Sequence, residues 1–391
     1  ARAHAGRHPG RLDARGLTSS ASFAAGAPAA LDATGGPLLP SAAMRICILG
    51  ATGLVGRELL HLLPRAWPGS QLQLFASRDQ ELELEGRRYA VRGADALEAV
   101  DATGGDVAFV ALDDEHSARF VPRLRQLGYK VVDKSNTYRL DPAVPLVVAG
   151  VNDGLVDAST DLVANPNCTT IPLALVLAPL RRRFGLRSVT VASYQAISGA
   201  GLATLDQFLL DARIGYQQND RLGQQLPPGG YVGNTVPHNA KTDESGFSAE
   251  ERKLMFESCK ILAAPDLRVS AQCCRVPVAV GHYEQVWLEC ERTVDLAEAL
   301  ALLGDDHDNP FVHLFPAADG TGLSALACLH ERDRALVGRL RRDPRDQDNR
   351  GLCLTVAGDN LRVGAATNAV RIATRWFPSA DPTLQAPGMM P

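Results

Sequence analysis

From residue 44 onward the chain alternates short apolar runs with longer amphipathic segments. Residues 45–49 read as a strand, 55–63 as a helix with its leucines on one side, and 72–76 as a second strand. Residues 107–111 and 130–133 read as further buried strands, with a helical segment over 117–127 between them. This alternation implies a parallel sheet wound on both faces, because parallel neighbours need a crossover and the crossover is a helix. After residue 168 the texture changes. Residues 188–193, 268–274 and 285–290 read as strands of a second, mixed sheet, joined by long connections that include the Gly/Pro/Asn/Gln-rich stretch 217–235. A small-residue helix is predicted over 364–376, placed to return to the first domain and close it.

The first 43 residues lack any such period. They are rich in Ala, Gly, Pro, Arg and Ser, with four arginines against two acids, Asp13 and Asp32. They are expected to be a disordered leader or a non-native extension upstream of a start at Met44, with an organellar transit peptide as the alternative; the apolar core of a secretory signal is missing. The other 348 residues suffice for two domains with cores of their own. A formal net charge of −4 with no long basic run argues against nucleic acid as a partner. No stretch approaches the roughly 20 apolar residues of a membrane span. Eight cysteines are scattered without CxxC spacing, several of them in apolar runs. That pattern suits a reducing, cytoplasmic setting and argues against a structural zinc site, and no metal site is read.

Two local patterns carry chemistry. Gly50-Ala51-Thr52-Gly53-Leu54-Val55-Gly56 follows the first strand and opens a helix. Glycines here allow a tight turn and close approach of backbone to a pyrophosphate seated on the helix N-terminus, so Gly50, Thr52, Gly53, Leu54, Val55 and Gly56 are read as a dinucleotide site on a Rossmann-type sheet. At the end of the second strand stand Ser77 and Arg78, where an acid would read the ribose 2′-hydroxyl of NAD. A Ser-Arg pair suits a 2′-phosphate, so NADP(H) is expected; the alternative is that Arg78 pairs with solvent or a nearby acid such as Asp79. The second pattern is Asn165-Pro166-Asn167-Cys168-Thr169-Thr170, ahead of the apolar stretch 171–180. Thr169 or Thr170 is expected to cap a helix there, and its dipole would favour a Cys168 thiolate. His282, at the end of Arg275-Val276-Pro277-Val278-Ala279-Val280-Gly281-His282, is the candidate acid/base partner.

These motifs, in this order, resemble the aspartate-β-semialdehyde dehydrogenase family over about residues 44–377. Further landmarks of the resemblance are Asp133-Lys134-Ser135-Asn136-Thr137-Tyr138-Arg139, the run from Ser193 to Gly201, Glu250-Glu251-Arg252-Lys253 and the run from Gly358 to Val370. The resemblance implies an α/β protein whose doubly wound NADP-binding domain comprises 44–168 with 360–380. An α+β catalytic and dimerisation domain with a mixed sheet would comprise 169–359, and the assembly would be a homodimer. It implies NADPH-dependent reduction of aspartyl 4-phosphate to aspartate semialdehyde and phosphate through a thioacyl on Cys168, in the biosynthesis of lysine, threonine and methionine. His282 would be the acid/base, and Gln195 would orient the acyl-enzyme. Arg275 would clamp the substrate carboxylate, Glu250 its amine, and Lys253 and Arg139 its phosphate. Ser198 and Gly199 would border the cofactor, and Asn368 would face the nicotinamide carboxamide or serve only as a polar residue on an Ala-rich helix. Glu250 and Lys253 equally fit a solvated helix face continued by Glu257 and Lys260, while Ser248 and Glu251 form a capping-box pattern. Ala149-Gly150 replaces an expected Pro-Glu, and Tyr283 stands where serine is common. An N-acetyl-γ-glutamyl-phosphate reductase and a non-catalytic NADP-binding relative remain the alternatives.

Overall fold

The computed structural model describes residues 43–97, 104–218, 229–238, 240–305 and 307–386, so the expected leader and most of the polar stretch 217–235 lie outside the described residues. In the first sheet, β1 (Arg45–Leu49), β2 (Gln71–Ala76), β5 (Val107–Val110), β6 (Lys130–Asp133) and β7 (Leu162–Ala164) are all parallel. A hairpin of β3 (Gln80–Leu84) and β4 (Arg87–Gly93) adds an antiparallel edge, giving the order β3-β4-β2-β1-β5-β6-β7. The hairpin was not expected, although Gln-Glu-Leu-Glu-Leu alternates cleanly ahead of Glu85-Gly86. Both turn residues take positive φ, 49° and 73°, which is the two-residue turn whose twist suits a hairpin.

Helix α1 (Leu54–Ala66) starts directly on the glycine turn, and α2 (Asp114–Gln126) links β5 to β6. The pattern placed α2 three residues late, because its first turn is polar. Asp113 caps it by accepting from the His116 N–H at 3.0 Å. Helix α3 (Thr170–Phe184) leads into the second sheet, made of β8 (Ser188–Gln195), β9 (Val236–Pro237), β10 (Arg268–Arg275), β11 (His282–Glu289), β12 (Val312–Phe315), β13 (Ala335–Arg342) and β14 (Gly351–Gly358). Its order is β12-β13-β14-β11-β8-β10-β9, with parallel and antiparallel pairs mixed. Helices α4 (Leu202–Gln218), α5 (Ala249–Ile261) and α6 (Leu296–Leu303) lie between its strands in sequence.

After β14 the chain makes a π-helical turn over Arg362–Ala366 and continues as α7 (Thr367–Ala373). Ala366, Ala369, Val370 and Ile372 pack in one core with Ile46, Ile48, Leu59 and Leu63 from β1 and α1. Small side chains are what let this helix approach the parallel sheet. No helix among the described residues is long and apolar enough to cross a membrane.

Candidate active site

A cavity of about 440 Å³ runs from the glycine turn to Cys168. Gly50 has φ +84°, and a Cβ there would lie 2.4 Å from the Ala111 carbonyl oxygen. A Cβ at Gly56 would lie 2.3 Å from the Gly50 oxygen. Only glycine closes this turn, and the turn is tied to β2 by Gly50 and Ala51 N–H groups donating to the Phe75 carbonyl at 2.9 and 3.0 Å. Gly50, Gly53, Leu54, Val55 and Gly56 line the cavity; the Thr52 carbonyl instead accepts from Arg57 Nε at 3.0 Å. Ser77 and Arg78 lie exposed just past the end of β2. Asp79 is engaged by the Gly93 N–H at 2.6 Å, and among the described residues Arg78 makes no ion pair. The cradle fits a dinucleotide, while Ser77 and Arg78 lie outside the cavity lining.

The catalytic end is built where strand termini meet. Gln195 and Arg275 pair in register at the last residues of β8 and β10, and His282 opens the neighbouring β11. Alternation along these strands turns all three to the inner face, while Tyr194, Cys274 and Tyr283 point outward. Cys168 closes the loop after β7 and precedes α3, so two sheets converge on one sulfur. His282 Nε2 stands 3.2 Å from Cys168 Sγ, and His282 Nδ1 accepts from the Ala196 N–H at 3.0 Å. That second bond places the proton of the neutral ring on Nε2, facing the sulfur. Gly199 leaves room here, since a Cβ would sit 2.7 Å from Arg275 Nη1 and 3.3 Å from His282 Cε1. Ser198 is buried and accepts from Asn360 Nδ2 at 2.9 Å.

Two expectations about α3 need correction. Neither Thr169 nor Thr170 caps it through its side chain. Asn167 does this work: its Oδ1 accepts from the Thr169 N–H at 2.9 Å and from the Thr169 hydroxyl, and its carbonyl accepts from Ile171 N at 3.1 Å. The helix end also does not leave a ready thiolate. Burial, then the Glu250 charge, push the Cys168 thiol up to about 11 against the pull of Arg275, Lys253 and Arg139. Burial and Arg275 hold His282 down at about 3, so the resting pair is a neutral thiol and a neutral imidazole.

Helix α5 turns Glu250, Lys253 and Glu257 inward, which overturns the reading of that stripe as a solvated face. Glu250 Oε1 accepts from Asn167 Nδ2 at 2.8 Å and Gln195 Nε2 at 3.3 Å, and Oε2 accepts from Lys253 Nζ at 3.0 Å. Burial pushes this carboxyl up, yet Lys253, His238 and the Asn167 hydrogen bond hold it at about 2. Glu257 accepts from the Asn167 N–H at 2.7 Å and from Arg139 Nη1 at 2.9 Å. Lys260 turns its ammonium onto the carbonyls of Arg139, Asp141 and Val144 at 2.7–2.8 Å. The capping box is as the sequence reads it: Ser248 Oγ accepts from Glu251 N and Glu251 Oε2 from Ser248 N. Arg275 is buried with Nη1 donating to the Ala196 carbonyl at 2.9 Å and Nε without a partner, a cation awaiting an acceptor.

Two predicted residues are engaged inside the fold. Arg139 borders the cavity, but its guanidinium also donates to the Asn165 and Lys134 carbonyls at 3.1 and 2.6 Å. Asn368 is corrected outright. Both its amide hydrogens are used, on the Val147 carbonyl at 2.9 Å and Asn165 Oδ1 at 2.8 Å, and its oxygen accepts from Ala149 N at 3.0 Å. It ties α7 to the loops before α3 instead of facing a carboxamide. Sequence reasoning assigned no role to Asn167, Glu257, Asn360 or Lys134. Asn360 holds the histidine loop through Gly281 N at 3.0 Å, and Lys134 lines the cavity itself. For Lys134 the signal was available, as a lysine beside Arg139 in a quoted motif.

Known proteins resemble the chain along most of its length. Residues 45–158 match the family profile described as "Semialdehyde dehydrogenase, NAD binding domain", and residues 177–363 match "Semialdehyde dehydrogenase, dimerisation domain". The chain is 35% identical over 344 residues to an aspartate-semialdehyde dehydrogenase of Aquifex aeolicus, covering 84% of this chain and 96% of that one. It is 37% identical over 351 residues to the enzyme of that name from Mycolicibacterium smegmatis, covering 84% and 98%. The crystal structure of aspartate semialdehyde dehydrogenase II from Vibrio cholerae, complexed with ASA, superposes with a TM-score of 0.76 at 30% identity, over 86% of this chain and 98% of that one. With identities of 30–37% and near-complete coverage of such relatives, the chain belongs to the aspartate-semialdehyde dehydrogenase family.

Proposed function

We propose that this protein is an NADP-dependent, phosphorylating aldehyde dehydrogenase that reduces aspartyl 4-phosphate to aspartate 4-semialdehyde and phosphate, a step toward lysine, threonine and methionine. The observation that carries this is the Cys168 Sγ to His282 Nε2 contact of 3.2 Å at the far end of a cavity that begins on a dinucleotide turn. Residues 44–168 with 360–380 form the cofactor domain in this reading, and 169–359 the catalytic and dimerisation domain. Gly50, Gly53 and Gly56 would cradle the cofactor's pyrophosphate at the start of α1, and Arg78 would hold the 2′-phosphate. Bound there, NADPH supplies reducing equivalents to the acyl group.

The chain's own residues set up the rest. Arg275 receives the substrate carboxylate on a buried guanidinium, and Glu250 receives the amine. Cys168 attacks the acyl carbon: an S–C bond forms, the C–O bond to phosphate breaks, and the thiol proton leaves with the phosphate. His282, with its Nε2 hydrogen on the sulfur, stabilises charge as it grows there and on the neighbouring oxygen. Gln195 holds the acyl oxygen end as a neutral amide. After reduction the tetrahedral alkoxide collapses, the S–C bond breaks, and the aldehyde departs; the released thiolate, held by the His282 Nε2 hydrogen, takes a proton from solvent to regenerate the Cys168 thiol.

The second sheet presents an outward face carrying Thr190, Tyr194, Gln272 and Trp287, opposite the catalytic residues. We read this face as the homodimer contact. All eight cysteines are free, which suits a reducing compartment, and we read the enzyme as cytoplasmic. A free-amine site also disfavours an N-acetyl-γ-glutamyl-phosphate reductase, because an acetylated nitrogen carries no charge for Glu250 to receive. The deciding experiment is phosphate-dependent NADP reduction by the purified protein with aspartate semialdehyde, beside the N-acetylated glutamate analogue. Comparable rates on the analogue would reject the assignment.

A further inference from the structure

Lys134 sits directly after β6, where two backbone bonds fix it. Its N–H donates to the Val110 carbonyl at 3.0 Å, and its own carbonyl accepts from Arg139 Nη2 at 2.6 Å. Lys134 lines the cavity that holds Cys168. Asp133, the neighbouring acid, faces the other way and is held by Ser117 at 2.8 Å and Ser135 at 2.6 Å. Among the described residues the Lys134 ammonium has neither hydrogen bond nor ion pair.

The other cations of the cavity differ in this respect. Lys253 is paired with Glu250 at 3.0 Å, and Arg139 with Glu257 at 2.9 Å. Arg275 and Lys134 alone among them face the cavity with no carboxylate partner. Both line the same cavity as the nucleophile: the Cys168 thiol feels the charge of Arg275, and the Lys134 ammonium feels that of Cys168. Burial and the nearby Arg139 also push the Lys134 ammonium below the ordinary lysine range, so an added anion would relieve it. A substrate with a carboxylate at one end and a phosphate at the other presents two anions to two unpaired cations. Its amine, between them, meets Glu250.

Resting on the function proposed above, we infer that Lys134 is the principal phosphate-binding cation of this site, with Lys253 and Arg139 contributing less because each already holds a carboxylate. The departing phosphate is the group whose charge rises as the C–O bond breaks, so a free ammonium there favours leaving as well as binding.

The test compares wild type with Lys134→Met and Lys134→Arg, using inorganic phosphate as the probe. In NADP reduction with aspartate semialdehyde, Lys134→Met should raise the apparent KM for phosphate tenfold or more, with the KM for the aldehyde moving less than threefold. Lys134→Arg should recover most of that loss. Calorimetric titration of phosphate into the NADP-saturated protein should show the same ranking without turnover, and thermal melting checks that each variant is folded. A phosphate KM and affinity of Lys134→Met within twofold of wild type would overturn the inference. A wild type that binds phosphate through Lys134 yet shows no turnover would instead overturn the reaction assigned above.

Discussion

Replacing Glu250 by glutamine is the perturbation that most directly probes the architecture. The carboxylate is buried and receives Asn167 and Gln195 on one oxygen and Lys253 on the other. Its pKa lies near 2 in the fold, against an ordinary 4.5. At about 1.36 kcal/mol per tenfold change in proton affinity, that gap corresponds to about 3 kcal/mol in favour of the ionised, folded form. Because the folded value is depressed, this stabilisation is fully present above about pH 4.5 and is lost as pH falls toward about 2. Glutamine keeps one acceptor but turns an amide NH₂ toward donors that already point inward, mismatching either Lys253 or the two amides. The Lys253 side chain is a quarter exposed, so water recovers part of its loss. Glu250→Gln should therefore be destabilised by roughly 2–3 kcal/mol at pH 7 and by much less at pH 3. Urea unfolding at a fixed protein concentration, run at both pH values, measures this; fixed concentration matters because a dimer's apparent stability depends on it. The same variant should lose aspartate semialdehyde turnover far more than phosphate affinity. A destabilisation below about 0.5 kcal/mol at pH 7, or one that does not shrink with acid, would refute the reasoning.

Other expectations can be checked separately. Cys168→Ser should abolish turnover, and wild type mixed with aspartyl phosphate without NADPH should give an acyl adduct on Cys168 by mass spectrometry. Because the thiol titrates near 11, iodoacetamide labelling of Cys168 in the free enzyme should still be accelerating above about pH 9; a plateau below pH 8 would contradict the burial argument. Arg78→Ala should weaken NADP by about 2 kcal/mol, about thirtyfold, and leave NAD nearly unchanged, so equal weakening of both would exclude a 2′-phosphate contact. Gly56→Ala places a methyl 2.3 Å from a backbone oxygen and should cut cofactor binding and lower the melting temperature, whereas Gly154→Ala, with open space around it, should alter neither.

Local pattern alone determined a good part of this protein. Apolar periodicity located β1, β2, β5 and β6 to within a residue or so, because buried parallel strands leave unbroken apolar runs. The glycine turn was legible for a similar reason: at Gly50 and Gly56 the backbone excludes every side chain, and that exclusion is written in residue type. The capping box at Ser248 is equally local. Only the tertiary structure decided how α5 is rotated. Glu250, Lys253, Glu257 and Lys260 look like a solvated stripe in one dimension, and packing against the loop before α3 turned them into partners of Asn167, Arg139 and backbone carbonyls. The same holds for Asn368, whose amide is engaged by residues about two hundred positions away. The state of Cys168 was likewise out of reach, since a helix N-terminus favours a thiolate by local geometry while burial and the Glu250 charge, both brought by distant segments, outweigh it. Residue type and short spacing set which groups are available; hydrogen bonds across long sequence separations set which of them remain free to bind, and among the described cations that line the cavity, Lys134 and Arg275 are the two the fold left without a carboxylate.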